Sequence, residues 1–208
     1  RQYERRRFMK DHYVITICRE FGAEGHEIGK QLSMQLNIPL YDKDILAMSA
    51  QQLGVSVDRI AGKDERVQKS CFSPYLLMSD EIPGEKLFHT ESDLIRQVAE
   101  SESCIIVGRL SDYILRNVPH CIKVLISAPF EQRVKIIADK RNLSHDKAAR
   151  LVREMDAVRN SYYDYYTKGK WTQDSEKDLV LNRRLLDIDN CVCVIAKIYE
   201  GINNIKKA

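Results

Sequence analysis

The chain has 208 residues, 44% hydrophobic and 30% charged, with a formal net charge of +3. This size and balance describe one globular domain with a sizeable core, and the charge is too small to point to nucleic acid. No apolar run approaches the ~20 residues that a bilayer crossing needs, so no membrane partner is expected.

In chain order, Arg1–Lys10 is basic and lacks the apolar segment of a signal peptide. Residues 1–12 are expected to be a flexible, solvated arm, and 13–208 a single domain. Val14–Ile17 is an apolar, β-branched run of strand type. Gly22 and Gly25 punctuate a loop expected over 18–27. Ile28, Leu32 and Leu36 then recur at helical spacing, with Gly29 beside them. A buried strand, a glycine loop and a helix N-terminus make a pocket for an anion, because free N–H groups and the helix dipole meet there. The stretch is read as a phosphate-binding loop; an ordinary β-loop-α connection is the plainer alternative.

Ile38–Tyr41 breaks the helical period, and Asp42-Lys43-Asp44 leads into a helix over Ile45–Leu53 that Gly54 ends. Asp58–Gln68 is expected to be a short helix, and Lys69–Gly84 a loop or cover. A helix is expected over Thr90–Glu102, with Thr90 and Asp93 imitating a capping box. Cys104–Val107 and Cys121–Ile126 read as buried strands, and Ile114-Leu115 as a short helix between them. Pro129 opens a helix carrying Phe130, Val134 and Ile137. Ser144 is expected to cap the longest helix, whose stripe is Leu151, Met155, Val158 and Tyr162. Asp178–Leu181 holds a short strand, and Cys191, Val194, Ile195, Ile198 and Ile202 face inward from the last helix.

Strands alternating with helices predict a parallel sheet with helices on both faces. Ligands of such sheets bind beyond the carboxyl ends of the strands, so the 18–27 loop and Gly108-Arg109 are expected to face one cleft. The cysteines, Cys18, Cys71, Cys104, Cys121, Cys191 and Cys193, show no C-x-x-C spacing with a His partner. They read as reduced core residues of a cytoplasmic protein, with no metal site of their own.

Four groups can carry chemistry. Arg109, at a strand's carboxyl end, can clamp phosphate with its planar fork, or make a surface salt bridge. Arg153, Asp156 and Arg159 lie along the long helix, where lid arginines would serve phosphoryl transfer and a solvated flank would serve nothing. Asp42 can orient a hydroxyl or a magnesium-bound water, or cap a helix. The tyrosines of 162–166 can stack a base, but read better as a packed helix end.

Together these landmarks resemble the cytidylate kinase-like proteins among the P-loop nucleoside-monophosphate kinases. The anchors are I-T-I-C-R-E-F-G at 15–22, E-I-G-K at 27–30, Y-D-K-D at 41–44, I-I-V-G-R at 105–109, D-A-V-R-N-S-Y-Y-D-Y-Y-T at 156–167 and L-V-L-N at 179–182. The resemblance implies a P-loop kinase three-layer α/β sandwich: a five-stranded parallel sheet, helices on both faces and a helical lid near 139–170. It implies ATP and Mg2+ on the donor side and a nucleoside monophosphate, CMP or dCMP, as acceptor. A small nucleotide would be the partner, with a homodimer left open.

Carried over, Gly22, Ala23, Glu24, Gly25, His26 and Glu27 would hold the donor phosphates. Asp42, Gly108 and Arg109 would hold the acceptor. Arg19, Arg153, Asp156 and Arg159 would act in transfer. The chain departs from the family in places. Gly25 stands where P-loop kinases have their Lys, and Glu27 where they have their Thr. Ala23, Glu24 and His26 replace the family's Ser, Gly and Arg, and Leu110 replaces an Asp after Gly108-Arg109. Glu24 adds negative charge where phosphates would sit, which leaves Arg19 as the nearest expected cation. A binding module of the same fold with little turnover is therefore the competing expectation.

Overall fold

The computed structural model describes residues 12–52, 54, 78–79, 82–172 and 175–205. Most of the expected N-terminal arm, the helix expected at Asp58–Gln68, Cys71 and most of Lys69–Gly84 lie outside the described residues. The first elements are β1 (Val14–Arg19), α1 (Gly25–Leu36), β2 (Leu40–Tyr41), α2 (Lys43–Gln52), β3 (Met78–Ser79), β4 (Ile82–Pro83) and α3 (Gly84–Ser101). There follow β5 (Cys104–Val107), α4 (Ser111–Ile114), β6 (Cys121–Ser127), α5 (Phe130–Arg141), α6 (His145–Thr167), β7 (Leu179–Asn182) and α7 (Ile188–Ile205).

β1 is the middle of a five-stranded sheet ordered β2-β5-β1-β6-β7, with every pairing parallel. Val14 lies opposite Cys104 of β5 on one side and Cys121 of β6 on the other. β3 and β4 form a separate antiparallel pair. Parallel strands need crossover connections, and helices packed on both faces supply them. This explains why β5, Cys-Ile-Ile-Val, is buried at every position rather than alternating with polar residues.

Successive side chains serve opposite layers. Ile15, Ile17, Ile105 and Val107 meet Ile28 and Leu32 of α1 and Val192, Ile195 and Ala196 of α7. Val14, Cys18, Cys104 and Ile106 meet Ile95, Val98 and Ala99 of α3, Tyr162 and Tyr163 of α6, and Trp171. A third cluster lies in the α5–α6 hairpin, where Val134, Ile137, Ala148, Val152 and Met155 close around Phe21 from the β1–α1 loop. Burying a side chain of that size contributes on the order of 2 kcal/mol, so the loop is tied to the hairpin as well as to the sheet.

Several expectations are corrected. β1 runs on to Arg19 because Cys18 and Arg19 continue the ladder opposite Leu125 and Ile126, and α1 starts at Gly25. The loop is therefore Glu20–Glu24, shorter than expected. α3 begins at Gly84, not Thr90; the Thr90 hydroxyl donates back to the Lys86 carbonyl at 2.9 Å, and Asp93 pairs with Arg96 at 3.1 Å. Ser144 does stand at the N-cap of α6, but its hydroxyl makes no capping bond. Among the described cysteines all are free thiols, and Cys193 is exposed rather than a core residue.

Candidate active site

The β1–α1 loop is a tight turn. The Ala23 N–H donates to the Glu20 carbonyl at 3.1 Å, and Gly22 takes the left-handed φ of 85° that glycine adopts without cost. A Cβ at Gly22 would stand 3.0 Å from the Arg133 carbonyl oxygen. Glu24, the N-cap of α1, is also left-handed at φ 60°, a conformation that costs a non-glycine residue roughly 1 kcal/mol. The N–H groups of Gly25, His26 and Glu27 then open the helix with no acceptor one turn earlier, and its dipole adds partial positive charge. A Cβ on Gly25 would fall 2.7 Å from the Arg19 Cβ. That contact leaves room for glycine alone at this position.

Three side chains from the hairpin grip this loop by its backbone. The Phe21 N–H donates to Asp156 Oδ1 at 3.0 Å. Arg133 donates through Nη1 to the Phe21 carbonyl at 3.1 Å and to Asp156 Oδ2 at 2.6 Å, and through Nε to the Ala128 carbonyl at 3.0 Å. Arg159 donates through Nη1 to the Arg19 carbonyl at 2.7 Å, and its guanidinium lies 5.4 Å from the Phe21 ring centroid. Asp156 and Arg159 thus share one helix face, as their spacing predicts, and that face is turned to the loop. Glu20 accepts from the Ala128 N–H at 2.8 Å and anchors the loop's first residue.

The negative charge of Glu24 is neutralised within the fold. Its carboxylate accepts from Lys140 of α5 at 2.5 Å and from Arg183, just past β7. Burial alone would push the Glu24 carboxyl up; the hydrogen bonds and charges of Lys140 and Arg183 outweigh it and hold the group below the usual carboxylate value. Arg19 is therefore not alone as a nearby cation, because the fold brings two more to the loop.

On the neighbouring strand, Gly108, Arg109 and Leu110 are left-handed in succession, at φ 75°, 58° and 52°. Such runs of unfavourable backbone collect at functional turns. The Gly108 N–H donates to the Ile17 carbonyl at 3.0 Å, which pins this turn beside the end of β1. Arg109 is not a surface residue. It is 7% exposed and donates to Glu91 of α3 at 3.1 Å. Burial pushes the Glu91 carboxyl up and the Arg109 charge pulls it back. Glu91 is absent from the expected site, yet the sequence carries a signal for it: it shares a helical face with Leu87, Leu94 and Ile95, and an acid on an apolar stripe signals a buried partner.

Asp42, directly before α2, accepts from or pairs with His26 Nδ1 at 2.8 Å. Its Oδ1 is buried with no hydrogen-bond partner among the described residues. Burial pulls the Arg19 guanidinium down while the Asp42 charge holds it up and Arg109 opposes it. Arg159 is pulled down first by burial and then by Arg19, with Asp156 and Asp42 opposing. Arg19 thus lies within electrostatic reach of Asp42, Arg109 and Arg159, and Arg159 of Asp42, at the carboxyl end of β1. Arg153 does not join them; it is exposed, with its guanidinium 4.7 Å from the Phe130 ring centroid. Among the described residues no group of three or more His, Cys, Asp or Glu can hold a metal ion.

Beneath the site, Asp112 is fully buried and accepts from the Tyr163 hydroxyl at 3.0 Å, from Trp171 Nε1 at 2.8 Å and from Lys177 at 2.8 Å. Of the tyrosine run, Tyr162 and Tyr163 are buried, Tyr166 stacks on Phe88 at 4.1 Å between centroids, and Tyr165 is exposed.

The chain is similar in structure to an uncharacterized protein from Eubacterium ventriosum ATCC 27560, at 24% identity over 91% of this chain and 99% of that one, with a TM-score of 0.67. It is also similar to shikimate kinase from Bacteroides thetaiotaomicron, at 14% identity, 90% and 98% coverage and a TM-score of 0.52. A gluconokinase from Sinorhizobium meliloti 1021 gives 9% identity, 93% and 97% coverage and a TM-score of 0.53. At these identities the likeness shows the fold, which is that of the P-loop kinases. No curated protein matches the sequence. No described helix is long and apolar enough to cross a membrane. The model of the cytidylate kinase-like family matches residues 14–184, and the chain belongs to that family.

Proposed function

We propose that the chain is an ATP-dependent phosphotransferase whose acceptor is a nucleoside monophosphate, CMP or dCMP by family resemblance. The observation that supports this is the placing of Arg19 and Arg159 near Asp42, with Arg109, paired to Glu91, close to Arg19, beside the N-terminus of α1. Arginines gathered near a helix N-terminus suit a phosphorylated ligand. Phosphoryl transfer asks for little else, since positioning and charge neutralisation do most of the catalysis.

On this reading the loop Gly22–Glu27 holds the donor phosphates through backbone N–H groups, with Arg19 at its edge. Arg109, set by Glu91, holds the acceptor's phosphate. Asp42 orients the acceptor or a metal-bound water. Asp156 and Arg159 keep the loop shaped, and Arg153 serves only if the hairpin moves. When bound, magnesium triphosphate supplies the transferable phosphoryl group. The buried Asp42 Oδ1 with no partner among the described residues suits a cation, and magnesium needs only one or two carboxylates besides phosphate and water.

The second reading, a binding module with little turnover, is favoured by Gly25, where only a residue without a side chain fits. Calorimetry with ATP and magnesium, followed by an ADP-release assay against a nucleoside-monophosphate panel, separates the two. ADP formation dependent on CMP or dCMP supports the enzyme. Tight ATP binding without acceptor-dependent ADP supports the module, and no ATP binding overturns both.

A further inference from the structure

We infer that Lys140 and Arg183 form the cationic half of the donor-phosphate subsite, and that Glu24 occupies it as a built-in anion which a polyphosphate displaces. This rests on the reading of the β1–α1 loop as the donor site and adds the residues that replace its missing lysine.

The placement carries the inference. Both cations converge on one carboxylate at the N-cap of α1, where the helix already favours an anion. Glu24 makes no capping bond to its own helix. It holds a left-handed backbone instead, and its side chain meets Lys140 and Arg183. The local sum is two positive charges against one negative, before the dipole is counted.

The other cations of the loop are engaged differently. Arg133 is bound to the Ala128 and Phe21 carbonyls and to Asp156, and Arg159 to the Arg19 carbonyl. Those bonds hold backbone and cannot be released without opening the loop. Among the described residues, Glu24 is the one carboxylate that Lys140 and Arg183 pair with. The Arg183 side chain is 9% exposed and its Nε has no hydrogen-bond partner among the described residues, so the guanidinium has a donor to spare. Its backbone is fixed, with the N–H donating to the Ser127 carbonyl at 2.8 Å and the carbonyl accepting from Gln132 at 3.1 Å. Arg183 is thus a pre-positioned fork whose one exchangeable ligand is an oxyanion. Lys140, half-exposed, is a flexible point charge that can follow a displaced partner. A triphosphate offers more charge and more acceptor oxygens than a single carboxylate.

The probe is inorganic tripolyphosphate, titrated by calorimetry into the whole chain at fixed ionic strength, with no acceptor present. Glu24→Gln keeps the side-chain shape and removes the charge; it is expected to tighten tripolyphosphate binding about fivefold or more. Arg183→Ala and Lys140→Ala are each expected to weaken it about tenfold, as loss of a charged contact does. Glu24→Gln added to Arg183→Ala should recover little, because the competitor matters only while the fork is there. If Arg183→Ala fails to fold, Lys140→Ala on the hairpin surface carries the test. Unchanged or weaker binding in folded Glu24→Gln overturns the inference, because the carboxylate is then a strut. So does unchanged affinity in Arg183→Ala and Lys140→Ala, or no binding to any of the proteins. The inference stands, and the proposed enzyme falls, if these shifts appear while no acceptor yields ADP.

Discussion

Asp156 bridges the hairpin and the β1–α1 loop, and its removal should loosen both. It accepts from the Phe21 N–H and from Arg133, whose guanidinium is otherwise spent on two carbonyls. Breaking a buried ion pair from one side costs about 3–5 kcal/mol, because the remaining charge is left without a partner. Two facts reduce that figure here: the Asp156 side chain is 25% exposed, and Glu20 stays 3.6 Å from Arg133 Nε. Asp156→Ala should therefore destabilise the fold by about 2–3 kcal/mol. At this chain length that lowers Tm by about 4–12 °C. Asp156→Asn keeps an acceptor for Phe21 and loses the charge, so about half the effect is expected. Urea unfolding followed by circular dichroism gives the stabilities, and ATP affinity should fall alongside them as the loop loses its shape. A normal unfolding midpoint in Asp156→Ala would refute this reasoning. If turnover nevertheless collapsed in such a protein, Asp156 would be acting on the substrate rather than on the loop.

Gly25→Ala should force the Arg19 side chain aside, since the new Cβ would stand 2.7 Å from the Arg19 Cβ. Overpacking of that kind costs about 1–3 kcal/mol, and calorimetry should show ATP affinity reduced with it. Asp112→Asn should cost about 3–5 kcal/mol in urea unfolding, because Lys177 is then left buried without its anion. The Glu24 carboxyl is held low in the folded chain, so its contribution to stability is present above the unfolded value and lost as pH falls through the folded one. Any stability lost in Glu24→Gln at pH 7 should accordingly shrink in unfolding curves taken at progressively acid pH.

The sheet was legible because its strands are buried on both faces. Val14–Cys18 and Cys104–Val107 carry almost no polar residue, and such runs have few other fates. The glycines of the loop, and Asp156 with Arg159 on one helix face, were legible for the same kind of local reason. Arg133 was not. It stands beside Phe130 and Val134 like any solvated arginine, and only the return of Asp156, 23 positions later, gives it a buried role. Lys140 and Arg183 lie 116 and 159 positions from Glu24, and charge pairing over such separations leaves no periodicity to read. The start of α3 was missed because Thr90 matches a capping pattern locally, whereas packing of Leu87 into the buried interior extends the helix further. Tertiary contact outweighs a weak local signal there.

The long helix α6 explains how these parts act on one another. Its 23 residues form a rod of about 35 Å. Ala148, Val152 and Met155 belong to the hairpin's cluster around Phe21, and Tyr162 and Tyr163 to the core of the sheet. Asp156 and Arg159 fall between the two, at the level of the loop, and bond to the backbone of Phe21 and Arg19. Arg159 is placed where burial and the Arg19 charge both disfavour its positive form. A guanidinium nevertheless stays charged at any working pH. The fold therefore keeps Arg19 and Arg159 close together at the end of β1, with Asp42 and Asp156 favouring their charged forms. A polyanion bound there lowers the energy of each cation at once, and whatever binds the folded chain alone also stabilises it.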